Sequence, residues 1–147
     1  PMESLLSIEE VAQRTGLTAH TLRYYERIGL IAPVGRAAGG QRRYAASDMA
    51  WIEFLLRLRT THMPIGKMQA FAELRGAGDS TVPDRRQMLE EHLTEVLAEI
   101  EAMRQSADAL QAKIAHYRWL EQSLAPDSIS GEGHADEHRK PLRARTR

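Results

Sequence analysis

The chain has 147 residues, with 20 basic side chains, 20 acidic side chains and no cysteine, so disulfides, thiolate-bound metals and thiol redox switches are excluded. No apolar run approaches the ~20 residues of a membrane-spanning helix, and the opening residues lack the pattern of a signal peptide. We therefore expect a soluble, cytoplasmic protein with one modest core, or a small domain followed by one long element.

The formal net charge of zero hides a separation of charge along the chain. Residues 1–78 carry ten basic and seven acidic side chains, whereas residues 83–125 carry five basic and eight acidic ones. A polyanionic partner is therefore expected to bind the first part and to avoid the second.

Two short helices are predicted near the start of the chain. Ser7 and Glu10 have the spacing of a capping box, and Gly16 is expected to end the helix that follows. Thr18 is suited to cap a second helix, whose apolar face includes Leu22. Two helices joined by a glycine turn favour a helix-turn-helix, although other helical hairpins share this spacing.

A basic hairpin is predicted next. Residues 34–45 are too rich in glycine for a helix and favour a hairpin loop, or wing, that carries several arginines. Between residues 19 and 62, seven arginines stand against three carboxylates, with Tyr24, Tyr25 and Tyr44 among them. Guanidinium groups fork onto phosphates, and tyrosine hydroxyls bind phosphate oxygens. This composition predicts a surface for duplex DNA, the alternative being a solvated charged face over core tyrosines.

Two further helices precede a linker. The third is expected from Ser47 to about Thr61, and the fourth from Pro64 to Gly76, with proline in the first turn. Lys67 in that turn is placed to hold a further phosphate beside free backbone amides. Residues 77–82 are interpreted as a linker.

Residues 83–124 have the period of a coiled coil. Apolar positions alternate in steps of four and three across 29 residues, which is a heptad seam. They are Leu89, Leu93, Val96, Ile100, Met103, Ala107, Leu110, Ile114 and Tyr117. A seam this narrow predicts pairing with a second copy of the same helix, packing on its own domain being the alternative. Residues 125–147 have the composition of a flexible tail, and His134 and His138 in it are interpreted as a surface pair rather than a metal site.

Three blocks of sequence resemble those of a known family. They are Ser7-Ile-Glu-Glu-Val-Ala12, Thr21-Leu-Arg-Tyr-Tyr-Glu-Arg-Ile-Gly-Leu-Ile-Ala-Pro33 and Gly39-Gly-Gln-Arg-Arg-Tyr44. Together with the long helix they resemble the MerR family of bacterial transcriptional regulators, from residue 5 to about 124. The resemblance implies a mainly α fold, with a winged helix-turn-helix domain over residues 5–76 and a dimerisation helix over 83–124 that forms an antiparallel coiled coil.

The resemblance also implies a function. A homodimer is expected to bind an inverted repeat in double-stranded promoter DNA and to bend and untwist it, which activates transcription by RNA polymerase, with repression as a second outcome. The residues expected to contact DNA are Thr18, His20, Thr21, Arg23, Tyr24, Tyr25, Arg36, Arg42, Arg43, Tyr44 and Lys67. Gln41 stands where many members of the family carry an aromatic residue.

Neither an enzyme nor a cofactor is expected. The sequence has no catalytic-triad order, no glycine-rich phosphate loop and no cluster of metal ligands. An effector sensed without thiols would bind between the DNA-binding domain and the coil, near residues for which a plain core is the favoured interpretation. These are Phe54, Met63, Met68, Phe71, His116, Tyr117 and Trp119. The alternatives to a regulator are an architectural DNA-binding protein without an effector and a coiled-coil adaptor for an acidic protein.

Overall fold

The computed structural model describes residues 5–125. The elements in chain order are α1 (Ile8–Thr15), α2 (Ala19–Arg27), β1 (Gly35–Arg36), β2 (Arg42–Arg43), α3 (Ala46–Thr60), α4 (Ile65–Gly76), a 3-10 helix (Asp79–Thr81) and α5 (Val82–Ser123). The chain divides into two compact units, residues 1–99 and 100–147. Within the described residues, no helix is long and apolar enough to cross a membrane.

The first two helices begin and end where the sequence predicts. The Ser7 hydroxyl accepts a hydrogen bond from the Glu10 amide at 3.1 Å, and the Ser7 amide donates to the Glu10 carboxylate at 2.8 Å. Gly16 ends α1 in the left-handed conformation, with φ of 79°, and the Thr18 hydroxyl accepts from the Thr21 amide at 3.0 Å to start α2. The predicted capping box and helix-turn-helix are confirmed.

One apolar core lies beneath these helices in the first unit. Its largest fully buried side chains are Tyr44, Leu22, Leu30, Ile52, Leu55 and Val11. Two side-chain hydrogen bonds attach α3 and α4 to the backbone that follows α2. Trp51 Nε1 donates to the Leu30 carbonyl at 2.8 Å, and Gln69 Nε2 donates to the Ile28 carbonyl at 3.0 Å. Through these two hydrogen bonds, α3 and α4 hold the end of the helix-turn-helix in place.

The predicted wing is a small antiparallel hairpin. β1 and β2 pair with Gly35 opposite Arg43 and Arg36 opposite Arg42. At its base, Leu6 and Tyr44 exchange backbone hydrogen bonds of 2.9 and 2.8 Å. The wing is therefore tied by backbone to the segment that precedes α1.

The segment expected to be a linker is ordered around Thr81. Its hydroxyl donates to the carbonyls of Leu74 at 2.6 Å and Gly78 at 2.8 Å, and accepts from Arg85 Nε at 3.0 Å. Beyond it, Leu89 packs partly buried against the core of the first unit. The first unit therefore runs past the expected domain end at residue 76, because the start of α5 contributes to its core.

Helix α5 has 42 residues, close to the predicted range of 83–124, and none of its side chains is buried. Because Leu89 packs on the core, the part of the predicted seam that is open to a partner begins at Leu93. The tail from residue 126 onward, with His134 and His138, lies outside the described residues.

Candidate nucleic-acid interface

One face of α2 is exposed and polar. His20, Arg23 and Tyr24 all lie on it, with Tyr24 38% exposed. At its start, the exposed Thr18 caps the helix and also donates to the Thr21 hydroxyl at 3.0 Å. Five of the residues expected to contact DNA therefore lie together on or beside the exposed side of α2, namely Thr18, His20, Thr21, Arg23 and Tyr24.

Tyr25 differs from its neighbour Tyr24. Its side chain is 7% exposed, and its hydroxyl lies 3.2 Å from Arg59 Nη1, which donates to it. That Tyr25 contacts the DNA backbone stays a prediction, and in the structure its hydroxyl accepts a hydrogen bond from Arg59. This contact places the exposed Arg59 beside α2, and no signal in the sequence links two residues 34 positions apart.

The structure corrects the prediction that Tyr44 contacts DNA. Its side chain is 1% exposed, and burial raises the pKa of its hydroxyl above the ordinary value of 10.0. The hydroxyl has no hydrogen-bond partner among the described residues. Tyr44 therefore supports the base of the wing from the core and is not placed to touch a phosphate.

The three arginines of the wing have different surroundings. Arg36 is exposed, and its Nη1 donates to the Gly40 carbonyl at 2.8 Å across the tip of the wing. Arg42 Nε donates to Glu26 Oε1 on α2 at 2.7 Å, which forms an ion pair. Arg43 is half-buried and donates to the Arg42 carbonyl at 3.3 Å. Arg36 and Arg43 thus keep their charge for a ligand, whereas the charge of Arg42 is neutralised inside the protein by Glu26.

A groove of about 190 Å³ lies where α1, α2 and the wing meet. Its lining is Ser7, Ile8, Glu9, Arg23, Gly40, Gln41, Arg42 and Arg43. Within residues 5–125, Arg23 and Arg43 form no ion pair with a carboxylate. The pKa of the Glu10 carboxyl is lowered chiefly by the hydrogen bond from the Ser7 amide, and to a lesser extent by the charge of Arg43 nearby. Two guanidinium groups outside any ion pair at one groove suit the oxygens of a phosphate.

Lys67 lies in the first turn of α4, as predicted, and its side chain is exposed. In the part of the chain that the structure describes, its ammonium group has no carboxylate partner. Its own backbone amide donates to the Pro64 carbonyl at 2.9 Å. Any phosphate contact by this residue would therefore come from the side chain.

The residues expected to line an effector pocket separate into three groups. Met63, Met68 and Phe71 are core side chains, 5%, 4% and 4% exposed. Phe54 is half-buried and lines, with Phe71, a shallow depression of about 380 Å³. The remaining lining is Ser47, Ala50, Trp51, Arg75 and Arg85.

The third group, His116, Tyr117 and Trp119, lies in the second unit. There the His116 ring packs against the rings of Tyr117 and Trp119 at centroid distances of 6.1 and 6.0 Å. Among residues 5–125 there is no group of three or more side chains that could hold a metal ion.

The fold and this surface define a winged helix-turn-helix DNA-binding protein, and comparison with known proteins gives its family. The family model described as "MerR family regulatory protein" matches residues 7–44, and the model "MerR, DNA binding" matches residues 49–113. The chain therefore belongs to the MerR family of transcriptional regulators, as the resemblance implied.

Individual relatives agree with this assignment. An HTH-type transcriptional regulator of Haemophilus influenzae is 33% identical over 109 residues, which cover 74% of this chain and 81% of that protein. The regulator AdhR of Bacillus subtilis is 44% identical over 84 residues, 57% of this chain and 60% of AdhR. Both relatives are transcriptional regulators.

Two crystal structures share the fold. HiNmlR, a MerR family regulator lacking the sensor domain and bound to promoter DNA, has a TM-score of 0.74 and 30% identity, covering 82% of this chain and 95% of HiNmlR. A MerR family regulator from Listeria monocytogenes has a TM-score of 0.73 and 34% identity, covering 77% of this chain and 86% of that one.

Proposed function

We propose that this MerR-family regulator works as a homodimer that binds an inverted repeat in promoter DNA. By bending and untwisting that DNA, the dimer activates transcription, and it represses where the same distortion is unfavourable for RNA polymerase. The observation that carries the proposal is the single exposed polar face of α2 beside a groove with two arginines that form no ion pair among the described residues. The promoter DNA bound to the structural relative HiNmlR supports it.

In each subunit, we propose that different side chains contact the bases and the phosphates of the duplex. On α2, His20, Thr21 and Arg23 are proposed to enter the major groove, where base edges can be distinguished, and Tyr24 to contact the DNA backbone. The charges of Arg36, Arg43 and Lys67 lie outside that helix. Contacts of these cations with phosphates set the register of the protein on DNA without reading sequence.

The exposed seam of α5 supports the dimer. Leu93, Ile100, Met103, Leu110, Ile114 and Tyr117 are between 49% and 72% exposed, an unusual state for large apolar side chains in a row. In an antiparallel coil, an a position of one helix faces a d position of the other. One register pairs all the seam positions from Leu93 onward between two copies. The layers are Leu93 with Tyr117, Val96 with Ile114, Ile100 with Leu110 and Met103 with Ala107.

The proposed mechanism follows from two-fold symmetry. Two reading heads joined through a shared coil contact both half-sites only if the DNA between them bends and untwists. That distortion costs about 1–10 kcal/mol and is offset by the binding of a head at each half-site. It realigns promoter elements for RNA polymerase. Since the chain has no cysteine, a small effector that modulates this state would be sensed without thiols.

The test is selection of bound sites from fragmented genomic DNA, followed by footprinting of the enriched sites. We expect an inverted repeat inside a core promoter, with distortion between the half-sites and a preference of about 10³-fold or more over bulk DNA. Protection of undistorted DNA outside any core promoter would contradict the mechanism. A preference far below that ratio would instead indicate an architectural protein, and binding insensitive to salt would argue against a phosphate interface altogether.

A further inference from the structure

One carboxylate lies within the basic surface that is proposed to face DNA. Glu26, near the end of α2, pairs with Arg42 on the wing at 2.7 Å, with the two side chains only 12% and 21% exposed. Within residues 5–125, this is the only ion pair that joins two different elements. The other three lie along α5, between side chains that are at least 52% exposed.

The wing has few other attachments that would fix its orientation. Its strands pair at only two positions, and it is anchored at its base, by the bridge between Leu6 and Tyr44 and by the buried side chains of Val34 and Tyr44. An isolated two-stranded hairpin is marginally stable in water, so its orientation depends on contacts with the rest of the domain. The ion pair connects the wing directly to α2, the helix that is proposed to read the bases.

We propose that Glu26 is a positioning residue, which acts through Arg42 to hold the wing at a fixed orientation to α2. The two elements then engage the duplex as one rigid unit. This inference rests on the proposed DNA-binding function and assigns Glu26 a part in it. A carboxylate that only added charge would repel the phosphates. A carboxylate that positions the wing instead improves binding to a specific site.

The opposite signs of these two effects give a direct test with Glu26→Gln, which removes the charge and keeps the shape. We expect binding to the selected site to weaken by about tenfold, while binding to unrelated duplex DNA stays equal or tightens. Glu53→Gln is the matched control, because Glu53 is an exposed carboxylate of the same unit without an ion-pair partner among the described residues. A Glu26→Gln protein that bound the selected site as tightly as the wild type would overturn the inference.

The part played by Arg42 is tested by repeating the substitution in an Arg42→Gln background. If Glu26 acts through Arg42, Glu26→Gln weakens specific binding only when Arg42 is present. An equal loss in both backgrounds would mean that Glu26 acts by another route, and would also overturn the inference.

Amide hydrogen exchange measures the wing without DNA. In Glu26→Gln we expect faster exchange of the wing amides, such as those of Ala37 and Gly40, which donate within the hairpin, and unchanged exchange in α1, α3 and α4. A uniform rise across the whole first unit, or no change in the wing, would contradict a positioning role. If the wild-type protein showed no preference among duplexes, the proposed function would be contradicted. The exchange measurement would still test whether the ion pair holds the wing.

Discussion

At the scale of single residues, three tyrosines in one basic stretch of sequence have three different surroundings. Tyr24 is exposed with the Arg27 guanidinium 5.3 Å from its ring centroid, Tyr25 bonds to Arg59, and Tyr44 is buried without a partner for its hydroxyl among the described residues. Composition predicts a DNA surface but cannot sort these residues, because tyrosine suits a core and a phosphate contact equally well. Only the packing of α3 and the wing decides between the two.

The burial of Tyr44 leads to a prediction for Tyr44→Phe. Removing a buried hydroxyl without a partner is expected to leave the free energy of unfolding unchanged or to raise it by up to about 1 kcal/mol, with DNA binding unaffected. Urea unfolding and a DNA-binding titration measure both. Tyr25→Phe is the comparison, since loss of the Arg59 bond is expected to cost about 0.5–1.5 kcal/mol. A large loss of DNA affinity in Tyr44→Phe would restore the contact role that its burial argues against.

At the scale of elements, local signals predict helix ends well and long-range contacts poorly. The Ser7 and Thr18 caps act over three residues, so the sequence displays both partners together. The Glu26–Arg42 pair spans 16 positions, and the Arg59–Tyr25 bond spans 34. Such partners are brought together by the core, which is why Arg42 is predicted from sequence to contact DNA and is found paired with Glu26.

The capping box of α1 makes stability depend on pH. The hydrogen bond from the Ser7 amide lowers the pKa of Glu10 below its ordinary value of 4.5. A carboxyl with a lowered folded pKa contributes stability that is present above its unfolded pKa and is lost as pH falls through the folded one. We therefore expect this contribution at neutral pH and its loss in acid. Unfolding measured across that range should show a weaker pH dependence in Glu10→Gln, and equal dependence in both proteins would contradict the assignment.

The Thr81 hydroxyl is expected to be the main polar support where α4 passes to α5. Thr81→Val keeps the shape and removes two donated bonds and the acceptor of Arg85. We expect a loss of about 0.5–1.5 kcal/mol in the free energy of unfolding, because the Leu74 and Gly78 carbonyls each lose one of their hydrogen bonds and Arg85 Nε loses its acceptor. Thr94→Val is the control, since its hydroxyl is exposed and donates to Glu90 of its own helix at 3.1 Å; it should change stability by less than about 0.5 kcal/mol. Equal effects of the two substitutions would show that the junction does not depend on Thr81.

At the scale of the whole molecule, the heptad seam is visible in the sequence because its period is strict. The sequence does not show that Leu89 belongs to the core of the first unit, since an apolar residue at a seam position also satisfies that core. It is the exposure of the positions from Leu93 onward that leaves a surface for a second copy.

Placing a charge in that surface tests whether dimerisation precedes DNA binding. Ile100→Asp puts a carboxylate at a seam position that is 58% exposed in the single chain and is proposed to face Leu110 of the second copy. We expect monomers by analytical ultracentrifugation and loss of binding to the selected site, because a single head binds only one half-site. Gln111→Asp adds the same charge beside the seam and should leave both properties intact. A monomeric Ile100→Asp protein that kept full affinity would contradict the dimer.

Cysteine cross-linking tests whether the two helices run antiparallel or parallel. The chain has no cysteine of its own that could react with the cross-linker. In the antiparallel register, position 103 of one copy faces position 107 of the other, so a mixture of the Met103→Cys and Ala107→Cys single variants should give a covalent dimer with a short thiol cross-linker such as dibromobimane. Each single variant should remain uncross-linked, because its thiol faces a methionine or an alanine. In a parallel coil each position would face the same position of the other copy, so each single variant on its own would cross-link. That outcome would leave the apolar seam intact and contradict the antiparallel register proposed for the dimer.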